Sequence, residues 1–319
     1  MSYLSNDHLE LSPVIPDSNR VLEFDFPGFE IGSAEYEEGP TGCTVIRFLE
    51  RVRCILDVRG GSPVWVGDYG WTDAICLTGG SAYGLESLSG VAAELLALSD
   101  YSPEWFDIAL VSGAVIYDLG KRGNMIYPDK ALGRAATRAA RPGRVLLGPH
   151  GAGRSATVGK AYSRDRAEAA GQGAAFAQVG PTKILVLTVV NALGVLVDRS
   201  GRVVRGNRDR ETGERRPFTG EVPAPVSTGT VHGNTTLTVV VTNQHLDGHD
   251  LRQVGRQVHS SMARAIQPFH APNDGDVLFT VTAADVENED LDGMSLALIA
   301  SELAWDAVLR SFDPEDSAQ

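Results

Sequence analysis

A layered α/β fold in one domain is what this 319-residue sequence predicts, and three features carry the prediction. Short β-branched runs alternate with stretches of helical periodicity over nearly the whole length, so helices must cover sheets. Hydrophobic residues make up 43% of the chain and charged residues 22%, the balance of a soluble globular protein. No second shift of composition divides the sequence. One domain over residues 21–312 follows, with a polar arm at 1–20 and a polar tail at 313–319.

The elements read in order. Residues 1–20 contain prolines and polar side chains and predict a loosely held arm. Residues 44–48, 53–58, 74–77 and 108–117 read as strands. Between them Leu85, Leu88, Val91, Leu95 and Leu98 recur at helical spacing and predict a helix over 81–98. Asp129 is placed to cap a helix over 130–140, which Pro142 and Gly143 close. Residues 183–190 read as a buried strand, and Gly194 to Gly206 as a hairpin turning at Ser200-Gly201. A strand at 235–242 opens the last third. A helix with Leu251, Val254, Val258 and Met262 on one face follows, then a strand at 277–283 and a helix at 295–312.

Residues 207–233 break the pattern. They hold four glycines, three prolines and many charges, with no period of two or 3.6. So long an unpatterned stretch is unusual inside a compact domain and reads as a flexible linker.

Charge and cysteine content exclude several classes. A net charge of −13 argues against a nucleic-acid or anionic-membrane partner, since both reward clustered cations. The basic run from Arg202 to Arg216 is diluted by Asp209, Glu211 and Glu214 and reads as a solvated loop. Cys43, Cys54 and Cys76 are odd in number and form no C-x-x-C pair, which fits reduced thiols in a cytoplasm. The first residues carry no basic or apolar leader pattern. The apolar stretch 184–197 is interrupted by Thr188, Asn191 and Gly194 and falls short of the ~18 residues of a membrane span. A cytoplasmic protein is expected.

Several motifs nearly form. G-R-S-A-T-V-G-K at 153–160 has five residues between its glycines and Ala161 after the lysine, so it lacks the P-loop hydroxyl for magnesium. Ser81 lies in G-G-S-A-Y-G rather than G-x-S-x-G and reads as a helix N-cap. His245-x₃-His249 has a metal-ligand spacing, but Asp247, Gly248 and Asp250 make the stretch a turn. No metal is expected.

One junction stands out. Gly233-Asn234 abuts Thr235-Thr236, where the unpatterned stretch meets a β-branched strand. A hydroxyl becomes a good nucleophile once a base takes its proton. Its own α-amine, with a pKa of ~7.7–8.0, is such a base if the residue begins a chain. Mid-sequence, that requires a cut in front of Thr235, made by its hydroxyl attacking the carbonyl of Asn234. Against this, a threonine opening a strand commonly reflects β-propensity alone. Three other stretches bear on the choice. Asn191 ends a buried strand and is either an oxyanion donor or a turn former before Gly194. Lys160 follows a glycine-rich turn, as a cation beside the nucleophile or as a surface lysine. Asp274-Gly275-Asp276 offers paired carboxylates for an ammonium or hydroxyl, or plain turn chemistry.

Longer motifs bear on the same choice. They are F-D-F-P-G from Phe24, Y-E-E-G-P-T-G from Tyr36, V-I-Y-D from Val115 and Y-P-D-K-A-L-G-R-A from Tyr127. Further on come G-Q-G-A-A-F from Gly171, V-V-R-G-N from Val203 and G-N-T-T from Gly233. Q-V-H-S-S-M from Gln257, I-Q-P-F-H from Ile266 and D-G-D-V-L-F from Asp274 complete the set. Across residues 21–310 the chain resembles the nylon-oligomer hydrolases, within the self-processing family of D-aminopeptidase/esterases and β-peptidyl aminopeptidases.

The resemblance implies a four-layer α/β/β/α sandwich and self-cleavage between Asn234 and Thr235. The products are an α chain of residues 1–234 and a β chain of residues 235–319. It implies Thr235 as nucleophile, Asp274 and Asp276 as the carboxylates that orient it, and Lys160 as the lysine of processing and turnover. Asn191 is implied on the oxyanion side and Tyr117 on the substrate side. No cofactor is implied, and the assembly is a homotetramer of α/β heterodimers. Substrates are linear amides of ω-amino acids, 6-aminohexanoate oligomers and polyamide chains among them. The chain departs from the family pattern in its shorter arm, at 120–124, and at 207–233. Rival readings are a β- or D-amino acid aminopeptidase with the same nucleophile, an acyltransferase that cuts itself before threonine, and an uncut scaffold.

Overall fold

A computed structural model describes residues 3–218 and 233–313. Its apolar runs form a nine-stranded hydrogen-bonded ladder: β1 (Phe29–Tyr36), β2 (Thr41–Val58), β3 (Trp65–Val66), β4 (Trp71–Thr78), β5 (Val111–Val115), β6 (Gln172–Val179), β7 (Thr182–Asn191), β8 (Thr235–Gln244) and β9 (Val277–Val286). The spatial order is β6-β7-β8-β9-β2-β4-β5-β3, and β1 also pairs with β2. Four long helices accompany them: α1 (Glu86–Leu98), α2 (Lys130–Arg138), α3 (Gly248–Ser261) and α4 (Gly293–Leu309).

β2 folds this ladder into two sheets. Its first half pairs with β1 and β4, its second half with β9. Between them the register against β4 slips from Arg47↔Ala74 to Val52↔Thr72. Extra residues in one strand bend it and increase its twist. The two strands expected at 44–48 and 53–58 are therefore one, and exposed Leu49 and Glu50 lie in the bulge rather than in a turn.

Alternation along the strands then builds the layers. Ile184, Val186, Val240 and Leu278 face α3 and α4. Leu185, Leu187, Leu237 and Phe279 face inward against Ile46, Phe48, Ile75 and Leu77 of the other sheet. Cys43, Val45, Ala74 and Cys76 turn outward beneath Leu88, Val91, Leu132 and Ala136 of α1 and α2. Three apolar interfaces thus separate four layers, α/β/β/α. Strands covered on both faces read as unbroken apolar runs, which is why 183–190 carries no polar alternation.

Local chemistry fixes the helix starts. Asp129 accepts the Leu132 N–H, Asp247 the N–H groups of His249 and Asp250, and Asp292 that of Ser295. Ser81 makes no such cap. It sits at φ +55° in a short 3₁₀ turn that precedes α1.

Two stretches are held more firmly than their composition predicts. The arm pairs Val14 with Glu35 through two backbone bonds of 2.9 Å, and Asn6 bonds to Tyr127 and Asp129. The first part of the expected linker, residues 207–218, folds back on itself: Asn207 Nδ2 donates to the Arg216 carbonyl. Arg215 makes two bonds of 2.7 Å to Glu168, which Arg205 and Arg208 also approach. Half of the arginine run, Arg205, Arg208 and Arg215, thus gathers on one carboxylate instead of being solvated, while Arg202, Arg210 and Arg216 are exposed as the solvated-loop reading expects. Residues 219–232 of that linker, and all of the tail except Asp313, lie outside the described residues. No helix among the described residues is long and apolar enough to cross a membrane.

Candidate active site

β8 enters the ladder between β7 and β9 with all ten residues buried. Its first residue, Thr235, is the register partner of Asn191, the last residue of β7. Both share a face with Val189 and Leu237, so their side chains project between the two sheets, at the open end of the sandwich.

Thr235 Oγ1 donates to the Asn234 carbonyl at 2.6 Å. The same carbonyl accepts the backbone N–H of Gly275 at 2.8 Å. The peptide preceding the hydroxyl is thus gripped by two donors on its oxygen. Gly233 explains the entry to this strand. It lies at φ +57°, and a Cβ there would fall 2.2 Å from Tyr117 Cβ, so only glycine lets the chain pass Tyr117.

Lys160 Nζ donates to Asn191 Oδ1 at 2.8 Å and to its carbonyl at 3.2 Å. Asn191 Oδ1 also accepts the Thr157 N–H, while Nδ2 donates to the Tyr117 carbonyl at 3.1 Å and so ties one sheet to the other. Backbone bonds from Gly159 to Gly194 and from Lys160 to Leu193 place the lysine there. It is buried, which removes the surface-lysine reading, and Asn191 ends a strand rather than forming a turn.

The two carboxylates face different ways. Asp274 accepts N–H groups from Ala271 at 2.9 Å and Leu193 at 3.4 Å, and its main chain bridges to Asn234. Asp276 accepts the Thr236 N–H at 2.7 Å through Oδ1 and meets His270 Nδ1 at 2.8 Å through Oδ2. Burial, then the neighbouring charge of Asp276, pushes Asp274 up to about 6, with the Ala271 and Leu193 N–H groups and the Lys160 ammonium opposing.

A cavity of ≈ 300 Å³ opens beside these residues, lined by Tyr117, Asp118, Arg122, Thr157, Lys160 and Gly233 among others. Asp118 and Arg122 form a buried pair at 2.9 Å, and Asp118 also accepts Thr41 Oγ1 and the Gly80 N–H. A larger hollow of ≈ 620 Å³ lies against Pro13, Ile31 and Arg141 and holds none of this chemistry.

All seven residues singled out from the sequence therefore meet at one end of the sandwich. Three participants were not singled out. Arg122 lies in the 120–124 departure, the Gly275 donor is a backbone group that no side-chain pattern reveals, and His270 was visible only as the last letter of I-Q-P-F-H.

A hydroxyl, a buried ammonium, paired carboxylates and a neighbouring cleft thus lie between two helix-covered sheets, and family and relatives make the chain a hydrolase acting on amide bonds. The fold is shared with a Burkholderia sp. beta-aminopeptidase (TM-score 0.64, 16% identity, 90% of this chain and 84% of that one). It is also shared with an L-aminopeptidase D-Ala-esterase/amidase from Ochrobactrum anthropi, described as a variant of the Ntn-hydrolase fold (TM-score 0.62, 17% identity, 93% and 88%). The chain belongs to peptidase family S58, whose profile matches residues 24–312. It is 47% identical to the 6-aminohexanoate-oligomer endohydrolases of Agromyces sp. (strain KY5R) and Paenarthrobacter ureafaciens. Each alignment covers 96% of this chain and 90% of the relative.

Proposed function

We propose that the chain cuts itself between Asn234 and Thr235 and then hydrolyses linear amides of ω-amino acids, 6-aminohexanoate oligomers included, with Thr235 as its N-terminal nucleophile. The observation that carries this reading is the 2.6 Å bond from Thr235 Oγ1 to the Asn234 carbonyl, whose oxygen the Gly275 N–H also holds. That bond holds Oγ1 beside the carbonyl it attacks, and the Gly275 N–H, which keeps its proton throughout, favours the charge that develops on the oxygen.

In self-cleavage Oγ1 bonds to the Asn234 carbonyl carbon, the C–N bond breaks, and Thr235 keeps its nitrogen as a free amine. Water then hydrolyses the ester, leaving a carboxylate on Asn234 and a hydroxyl on Thr235. Before the cut that nitrogen is an amide and accepts no proton. Asp274, bridged to Asn234 and titrating at about 6, has the basicity this first step needs.

In turnover the new α-amine takes the Oγ1 proton as Oγ1 attacks a substrate amide. The substrate nitrogen leaves as an amine carrying that proton, and water releases the acyl group. Asn191 Nδ2 has a second hydrogen beyond the one given to Tyr117, and this hydrogen serves the oxyanion. Lys160 fixes Asn191 and keeps positive charge beside the carboxylates, Asp276 orients Thr235, and Tyr117 lines the substrate cleft. The working unit is a homotetramer of cut chains in the cytoplasm.

Denaturing electrophoresis with mass spectrometry tests the core of this. Wild-type protein is expected as two chains, 1–234 and 235–319, and Thr235→Ala as one uncut chain without amidase activity. An active Thr235→Ala protein sinks the reading.

A further inference from the structure

His270 and His259 are unused by the chemistry above, yet they lie against its brace. Asp276 is fully buried, and each of its oxygens has one donor: Thr236 N–H on Oδ1, His270 Nδ1 on Oδ2. A carboxylate only accepts, so His270 must carry its proton on Nδ1. Behind it stands His259, fully buried, its ring 4.4 Å from that of His270 and nearly perpendicular. His259 Nδ1 is bonded in the same way to Asp57 at 2.8 Å, and Arg59 holds the same Asp57 oxygen at 2.6 Å. Phe269 packs against both rings, its centroid 3.8 Å from that of His270 and 5.7 Å from that of His259. The result is a buried column from β2 through α3 to the first peptide of β8.

The backbone adds a second observation. His270 lies at φ +58°, a left-handed conformation that costs a residue with a Cβ, and the fold maintains it nonetheless. At this position a glycine or asparagine would satisfy the backbone more easily. What histidine adds is an N–H aimed at Asp276.

We propose that His270 is a positioning residue: by fixing Asp276 it aims the Thr235–Thr236 peptide, and with it the nucleophilic hydroxyl, for both self-cleavage and turnover. The inference rests on Thr235 as nucleophile. His270 touches neither substrate nor Oγ1 and acts only through Asp276. Without its N–H, one oxygen of a buried carboxylate loses its partner and Asp276 is free to turn away from Thr236.

Two variants that both accept φ +58° separate this role from packing. His270→Gly relieves the backbone and removes the donor. His270→Asn keeps a donor, since an asparagine Nδ2 occupies the place of the imidazole Nδ1. Rates of self-cleavage and of 6-aminohexanoate-oligomer hydrolysis are measured with Thr235→Ala alongside. His270→Gly is expected to lower the cleavage rate and kcat about 10–100-fold with KM unchanged, the cost of a misaimed group. His270→Asn should recover most of that loss, and His270→Gly should add nothing in an Asp276→Asn background.

Wild-type rates in His270→Gly, a loss in KM alone, or an asparagine variant as slow as the glycine one overturns the inference. Should the glycine variant fail to melt cooperatively, the asparagine variant decides: near-wild-type rates support the role and a large loss of kcat ends it. If Thr235→Ala is itself cut and active, the nucleophile reading falls first. If Thr235→Ala is inert while His270→Gly is normal, only the role of His270 falls.

Discussion

Asp274 is a buried carboxyl whose ionised form is disfavoured by desolvation and by Asp276, which sets its titration at about 6. Two consequences follow. The base proposed for the first step works only when ionised, so, on that proposal, self-cleavage of freshly refolded precursor should slow as pH falls below about 6, and single-turnover electrophoresis across pH 4–8 reads this. Stability runs the other way. The folded state holds the proton more tightly than an unfolded aspartate does, so native Asp274 is most favourable below pH 4 and loses ground as pH rises to about 6. Asp274→Asn should therefore melt above wild type at neutral pH, by about 1–3 kcal/mol in unfolding free energy, and lose that advantage below pH 4. Equal pH dependence in the two proteins would show that Asp274 does not titrate in this way. The sequence displayed the two carboxylates of D-G-D but not their division of labour. Asp274 answers to Ala271 and Leu193, Asp276 to Thr236 and His270, and those contacts exist only after three chain segments meet.

At the level of elements, the strand entrance at Gly233 decides how the hydroxyl is presented. Gly233→Ala would put a Cβ against Tyr117 and a side chain at φ +57°, where non-glycine residues cost about 1–3 kcal/mol. The strand start must shift, and self-cleavage should slow by about 10²-fold, as for an ångström-scale misplacement. Time-resolved electrophoresis checks it; cleavage at the wild-type rate would mean the Tyr117 contact does not govern presentation. Helices and core strands were readable because burial leaves a pattern: Leu251, Val254 and Val258 line one face of α3, β7 is apolar from Ile184 to Val190 save for Thr188, and β8 is rich in β-branched residues. The bulge in β2 left no such mark, since exposed Leu49 in an apolar run looks like a strand end. Lys160 was ambiguous for a related reason. Its burial comes from pairing with Leu193, far away in sequence, and a local pattern cannot carry that information. Arg205, Arg208 and Arg215 misled because Glu168, their shared partner, lies in a different segment.

For the molecule as a whole, the proposed cut falls where it can do least harm to the fold. Residues 235–313 supply β8 and β9, which stand side by side in the ladder between β7 and β2, and both helices of one outer layer. Their inward residues Leu237, Val239, Val241, Phe279 and Val281 belong to the cluster that joins the two sheets, and their outward ones to the cluster under α3 and α4. Neither chain could keep a core without the other: the shorter would bare both faces of a two-stranded ribbon, and the longer would lose the middle of its ladder. Apolar burial is not screened by ions, unlike surface ion pairs. The two chains of mature protein should therefore co-elute in gel filtration even in molar salt, unfold in one transition, and separate only in denaturant. Release of the shorter chain by salt alone would mean that electrostatics rather than the shared core holds the halves together, and that the layered packing described for the uncut chain does not survive the cut.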